Sequence, residues 1–320
     1  MSQPPPLRAL EYARRDTGPL VLDLHRPHAS APVPVVVWLH GGGWFTGDRE
    51  LAPDPRHLTE RGIAMASIEY RLSGDALFPA QLHDVRAAIR WFRAHAGELG
   101  LDGDRIALWG ASAGGHLAAL AGLTGHFDAL PGEQRADHPR TVQADADHPV
   151  RDASVTAVAA AYPPVDLLGD QVPPGAPLGP PDPAATPEAR LLGGIPAEHP
   201  DRARSASPLT YVTADAPPFQ IAHGTGDLMV PSRHSELLYE ALLAAGADAE
   251  LWLVDGYRHG FLNPAGRADV PAAMDDGRLA AEVSPKATVC SSRHPCPVPT
   301  TFGFDRTADF LARCLTEGSA

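Results

Sequence analysis

Short apolar runs alternate along the chain with stretches whose apolar residues recur every three or four positions, which predicts strands and helices in turn. Val33 to Leu39 is almost continuously apolar, as a strand buried on both faces of a sheet requires. Ile63 to Ile68, Arg105 to Trp109, Val155 to Tyr162, Phe219 to Ala222 and Leu251 to Val254 predict further strands, and the alternating run Leu20 to Leu24 predicts an edge strand. Leu82, Val85, Ala88, Ile89 and Phe92 fall on one face of a helix. Ser232 to Ala245 repeats that spacing through Leu237, Leu238, Ala241 and Leu242, and Asp305 to Leu315 predicts a final helix. This order predicts an α/β fold with a mainly parallel central sheet flanked by helices, and the length fits one large domain or two small ones.

Three stretches break the rhythm. Residues 124–152 are polar and contain Asp137-His138-Pro139 and Asp147-His148-Pro149. Their His and Asp residues lack ordered ligand spacing, so a solvated loop without metal is expected. Residues 163–204 are dense in proline and predict a short irregular lid over the edge of the site. Residues 263–301 form an insertion before the last helix, without clear periodicity in their second half.

Composition narrows the partners. The 320 residues are 44% hydrophobic, enough to bury a substantial core. Asp and Glu number 39 against 26 Lys and Arg, and the resulting charge of −13 argues against nucleic acid or an anionic membrane. No run reaches the roughly 18 apolar residues of a membrane helix. Met1 to Asp16 is polar and proline-rich, without the apolar centre of a signal peptide, so the expected compartment is cytoplasmic. Cys290, Cys296 and Cys314 are an odd set without a C-x-x-C pair, which favours free thiols. A bridge between Cys290 and Cys296 is the alternative.

The candidate chemistry centres on Gly110-Ala111-Ser112-Ala113-Gly114, placed between a predicted strand and an apolar helical stretch. In that context G-x-S-x-G forms a tight turn that exposes the serine hydroxyl at a helix N-terminus. Directly after the strand Val33 to Leu39 comes His40-Gly41-Gly42-Gly43-Trp44. Its glycines allow backbone N–H groups to face a developing oxyanion, and the expected donors are Gly42, Gly43 and Ala113. His40 is expected to brace this loop. An activated serine needs a base, and the base an orienting acid. His259 follows the strand Leu251 to Val254, and Asp227 follows the strand before it, so both loops reach the edge that carries Ser112. Asp255, four residues before His259, is the rival acid. His116, one turn past Ser112, is expected to pack beside the turn.

Taken in order, these motifs resemble the α/β-hydrolase carboxylesterases, in the bacterial feruloyl/acetyl-esterase-like branch that borders the hormone-sensitive-lipase group. The resemblance also includes Glu69-Tyr70-Arg71-Leu72, Asp84 to Trp91, Asp104-Arg105-Ile106, Ala206-Ser207-Pro208, Pro217-Pro218, His223-Gly224-Thr225-Gly226-Asp227 and His259-Gly260-Phe261. It implies a single α/β-hydrolase domain over 1–320 and a cofactor-independent serine carboxylesterase acting on small to medium esters through an acyl-enzyme. Ser112 would be the nucleophile, His259 the base and Asp227 the acid that orients it. Trp44 and the lid are candidates for the substrate pocket. An amidase or arylformamidase uses the same machinery and is the alternative enzyme, while a non-catalytic binding protein on the same fold is the alternative of another class. The 263–301 insertion departs from the resemblance and is a candidate for shaping the pocket or for a homodimer contact.

Overall fold

The computed structural model describes residues 3–133, 153–168, 182–266, 274–294 and 297–317. The Asp-His-Pro segments at 137–139 and 147–149, and Cys296 with its candidate bridge, lie outside the described residues. Among the described residues a ten-stranded sheet has the order β1-β2-β4-β3-β5-β6-β7-β8-β9-β10. The strands are β1 Leu7–Arg15, β2 Gly18–His25, β3 Val33–Leu39, β4 Ala64–Ile68, β5 Leu101–Ala111, β6 Ala157–Ala161, β7 Phe219–Gly224, β8 Ala249–Val254, β9 Lys286–Ser291 and β10 Val298–Thr301. From β4 to β8 neighbouring strands are parallel. The pairs β1/β2, β2/β4, β8/β9 and β9/β10 are antiparallel.

The helices are α1 Arg56–Thr59, α2 Ala80–Leu99, α3 Ala113–Thr124, α4 Pro187–Leu192, α5 Pro200–Ser205, α6 Arg233–Ala245, α7 Arg278–Ala281 and α8 Phe304–Glu317. Alternate residues of β3 feed two cores. Val35, Val37 and Leu39 pack with Ile89, Phe92, Leu117 and Leu120 on one side, while Val36 and Trp38 join Phe310, Leu311 and Leu315 on the other. Both faces of the central strands are therefore covered, which is why their sequences are apolar throughout. A buried carboxylate ties the sheet edge to a helix. Asp84 of α2 pairs with Arg15 of β1 at 2.8 Å and with Arg71 at 2.7 Å.

The structure revises three expectations at the periphery. The outermost strand on one side is β1 rather than Leu20 to Leu24; β1 alternates weakly because its register shifts between Leu7 and Leu10 and again between Glu11 and Ala13. The second half of the 263–301 insertion is not irregular, since β9 and β10 form a hairpin that extends the sheet beyond β8. The described part of the segment expected as an irregular lid contains α4 and α5. Thr186 caps α4 by accepting from the Ala189 N–H at 3.1 Å, Pro187 follows at the first helical position, and Gly193 closes the helix at φ +72°.

Candidate active site

The carboxyl ends of β3, β5, β7 and β8 place the candidate residues side by side. At the end of β5 the chain turns directly into α3, and Ser112 between them is held at φ 54°, ψ −121°. This strained conformation is uncommon for a residue with a side chain. The turn closes only because its neighbours are glycine. A Cβ on Gly110 would overlap the Gly114 carbonyl, and one on Gly114 would overlap the Leu39 carbonyl of β3. The Ser112 N–H donates to the Ala161 carbonyl at 2.9 Å, which fixes the turn against β6.

Asp227 and His259 sit on interlocked loops. The Gly226 N–H donates to the Tyr257 carbonyl at 2.9 Å, and the Gly256 N–H to the Thr225 hydroxyl at 2.8 Å. Across this junction the His259 Nδ1–H donates to Asp227 Oδ2 at 2.6 Å. That bond leaves Nε2 as the acceptor for the Ser112 hydroxyl, 2.7 Å away. The other Asp227 oxygen accepts from the Met229 N–H at 2.9 Å and the Val230 N–H at 3.0 Å. Burial works against ionisation of Asp227, but the neighbouring His259, with hydrogen bonds from His223 and His259, holds its carboxyl well below the ordinary range. Asp255 is exposed, and its N–H is used by β9 through the Lys286 carbonyl. The structure thus brings Ser112, His259 and Asp227 together and leaves Asp255 outside.

The glycine loop after β3 lies over the serine turn. A Cβ on Gly41 would sit 3.4 Å from the Ser112 Cβ. Gly42 adopts φ +119° with its carbonyl accepting from the N–H groups of Phe45 and Thr46, each at 3.1 Å. Among the described residues, no protein acceptor is found for the N–H groups of Gly42, Gly43 or Ala113. The His40 Nδ1 lies within hydrogen-bond distance of the Gly41 carbonyl in this loop, at 2.7 Å, and the ring stacks on Tyr70 with centroids 4.3 Å apart.

Trp44 is placed differently from the pocket position expected of it. Its side chain is only 1% exposed, and its indole N–H donates to His116 Nδ1 at 3.1 Å. The His116 Nε2–H donates in turn to the Ala206 carbonyl at 2.7 Å. This buried line joins the glycine loop, α3 and the segment after α5. Burial, offset in part by the Ala206 carbonyl, lowers the His116 pKa to about 4, so the ring is neutral near pH 7. Tyr162, which no motif singles out, meets the His259 imidazole edge-on at 4.7 Å. Its only signal was a polar aromatic at the end of an apolar strand. A cavity of about 600 Å³ lies elsewhere, lined by Arg8, Asp23, His25 and Arg49 among others. It shares no lining residue with the Ser112 site, and its arginines are already paired with acids.

Comparison with known proteins identifies the family and the fold. The BD-FAE family model matches residues 22–242, and the chain belongs to that family, on an α/β-hydrolase fold. It is 33% identical to the Mycobacterium tuberculosis esterase LipC over 72% of this chain and 53% of LipC. It is 34% identical to esterase LipQ of the same organism, over 71% of this chain and 50% of LipQ. The chain thus spans about half the length of these curated relatives. Among solved structures, a truncated carbohydrate esterase from gut microbiota superposes with a TM-score of 0.70 at 25% identity, covering 98% of this chain and 97% of that one. The propionate-bound form of the thermophilic esterase Est2 from Thermogutta terrifontis gives a TM-score of 0.61 at 28% identity, covering 85% and 91%. Among the described residues no helix is long and apolar enough to cross a membrane.

Proposed function

We propose that the protein is a serine carboxylesterase that hydrolyses small to medium esters through an acyl-enzyme. One observation carries the reading: the unbroken hydrogen-bond chain from Asp227 through His259 to the Ser112 hydroxyl. The esterase relatives and the propionate-bound neighbour support the reaction class and a short acyl group.

Ser112 Oγ attacks the ester carbonyl while His259 Nε2 takes the hydroxyl proton. Asp227 holds the imidazole with Nδ1 protonated and stabilises the cation that forms. The oxyanion accepts from the N–H groups of Gly42, Gly43 and Ala113. His259 then returns the proton to the leaving alcohol. Water, deprotonated by His259, attacks the acyl-enzyme, and the acid leaves as Ser112 regains its proton. The scheme calls on no cofactor, and the partner it requires is a small-molecule ester.

Nitrophenyl acetate, butyrate and octanoate, assayed beside an anilide and a formanilide, test the proposal. The short esters should turn over fastest, and Ser112→Ala should lower kcat by roughly 10⁴-fold or more. Paraoxon should label the wild type at Ser112 and leave the variant unlabelled. A folded Ser112→Ala enzyme that keeps more than a few per cent of activity would refute the assignment. Faster cleavage of the formanilide than of every ester would move the substrate class to C–N bonds.

A further inference from the structure

Asp275 lies in the insertion that separates the His259 loop from the last helix, and it grips that loop on both sides of the imidazole. Its carboxylate accepts from the Arg258 N–H at 2.7 Å, and its own N–H donates to the His259 carbonyl at 2.8 Å. The same carboxylate accepts from the Arg258 guanidinium at 2.9 and 3.1 Å and from Arg278 at 2.9 Å. Asp275 is only 6% exposed, so these bonds face little competition from water.

The residues around it continue the grip. Gly260 is at φ +82°, and a Cβ there would press on Met274 and on the Asp276 carboxylate. The Asn263 side-chain amide donates to Asp276 at 3.0 Å, and the Gly277 N–H to the Asn263 carbonyl at 2.9 Å. Arg278 lies 3.9 Å above the Tyr257 ring and donates to the Gly256 carbonyl at 3.1 Å. The loop from Gly256 to Asn263 is thus fastened to residues 274–278 along its length.

We propose that Asp275 is a positioning residue that sets the backbone of His259, so that Nε2 stays in register with Ser112. The proposal rests on the esterase reading of Ser112, His259 and Asp227. Asp275 acts through the backbone rather than through its field, because Arg258 and Arg278 neutralise its charge locally. The groups that face the imidazole itself are Ser112, Asp227 and Tyr162, with His223 3.3 Å from Asp227 behind them. A displacement of about 1 Å in a reacting group costs roughly 100-fold in rate, so a loosened loop is felt in turnover before it is felt in binding.

The test compares Asp275→Ala and Asp275→Asn with the wild type on nitrophenyl butyrate, with active sites counted by paraoxon labelling. Asp275→Ala should lower kcat per labelled site by about 10- to 100-fold with KM within twofold, and should slow labelling of Ser112 by a similar factor. Asp275→Asn keeps the shape and one acceptor, and should fall between the two. If the alanine variant does not fold, the asparagine variant carries the test, with at least a threefold loss per site expected. A wild-type rate per site in the folded variants, with only the number of labelled sites reduced, would make Asp275 a purely structural residue and overturn the proposal. A wild type that neither hydrolyses esters nor reacts at Ser112 would overturn the esterase reading and this inference with it. An active wild type beside unaffected variants overturns this inference alone.

Discussion

A carboxylate whose two oxygens are both engaged cannot rotate, and Asp227 is held in that way by the Met229 and Val230 amides on one oxygen and His259 on the other. Replacing it with Asn keeps the shape but presents an amide N–H or a weaker acceptor to His259 Nδ1, which favours the wrong tautomer. Asp227→Asn should therefore lower kcat by about 10⁴-fold, while Asp255→Asn, on an exposed residue, should change it by less than about twofold. Steady-state kinetics of the two variants decide between the acids, and a reversed result would remove Asp227 from the reaction. His116 can be separated from the base by pH. With the His116 pKa lowered to about 4 by burial, a rise of activity with pH above 5 cannot be its titration. His116→Gln should leave that rise in place and lower stability by about 1–3 kcal/mol through its lost buried partners. His259→Gln should abolish turnover.

Between residues and fold, the turn from β5 into α3 shows what a short motif can disclose. Gly114 is required because the helix starts against the Leu39 carbonyl, so Gly114→Ala should prevent β3, β5 and α3 from closing together. The expected result is insoluble protein or a melting temperature lower by several degrees, read by circular dichroism; a variant as stable as the wild type would contradict the packing described. Such elements were legible in the sequence because burial on both faces leaves continuous apolar runs, as in β3. The elements that were not legible are those with one wet face or few residues. In β1 charged side chains point outward, in β9 five of the six residues are only partly buried or exposed, and α4 is a six-residue helix announced only by Thr186, Pro187 and Gly193. At the site, Ser112, Asp227 and His259 were legible because their types and order are distinctive. Trp44 was misread because an aromatic beside a glycine loop looks the same in sequence whether it lines a pocket or is buried against His116. Asp275 carried no local signal at all, since its partners come from a loop that only the fold brings near.

At the scale of the whole molecule, the fold keeps histidines neutral in its interior, and this makes it sensitive to acid. His234 accepts from the Val165 N–H at 3.1 Å through Nδ1, and His116 accepts from Trp44; protonation would replace either acceptor with a second donor. Burial lowers the pKa of both to about 4, with nearby His223 adding to the effect at His234. Between about pH 6.5 and 4 the unfolded chain therefore binds a proton at each site that the folded chain refuses. Stability from these groups is complete above the unfolded pKa and is lost as pH falls through that window, on the order of 3 kcal/mol for each. Burial lowers His25, His57 and His83 in the same direction. Glu133 adds a later loss. Burial opposes its ionisation, but bonds from Arg90 and Arg86 outweigh it and bring the pKa down to about 2, so its contribution disappears below about pH 4.5. Urea midpoints measured from pH 8 to 4 should be nearly constant down to about 7 and then fall steeply, before the carboxylates begin to protonate. His234→Gln should start from a lower stability and show a shallower fall between pH 6.5 and 4.5, because one of the protons taken up on unfolding is gone. Equal slopes for the variant and the wild type would mean that His234 takes up its proton in the folded protein as readily as in the unfolded one, and the acid sensitivity would then rest on His116 and the other lowered histidines.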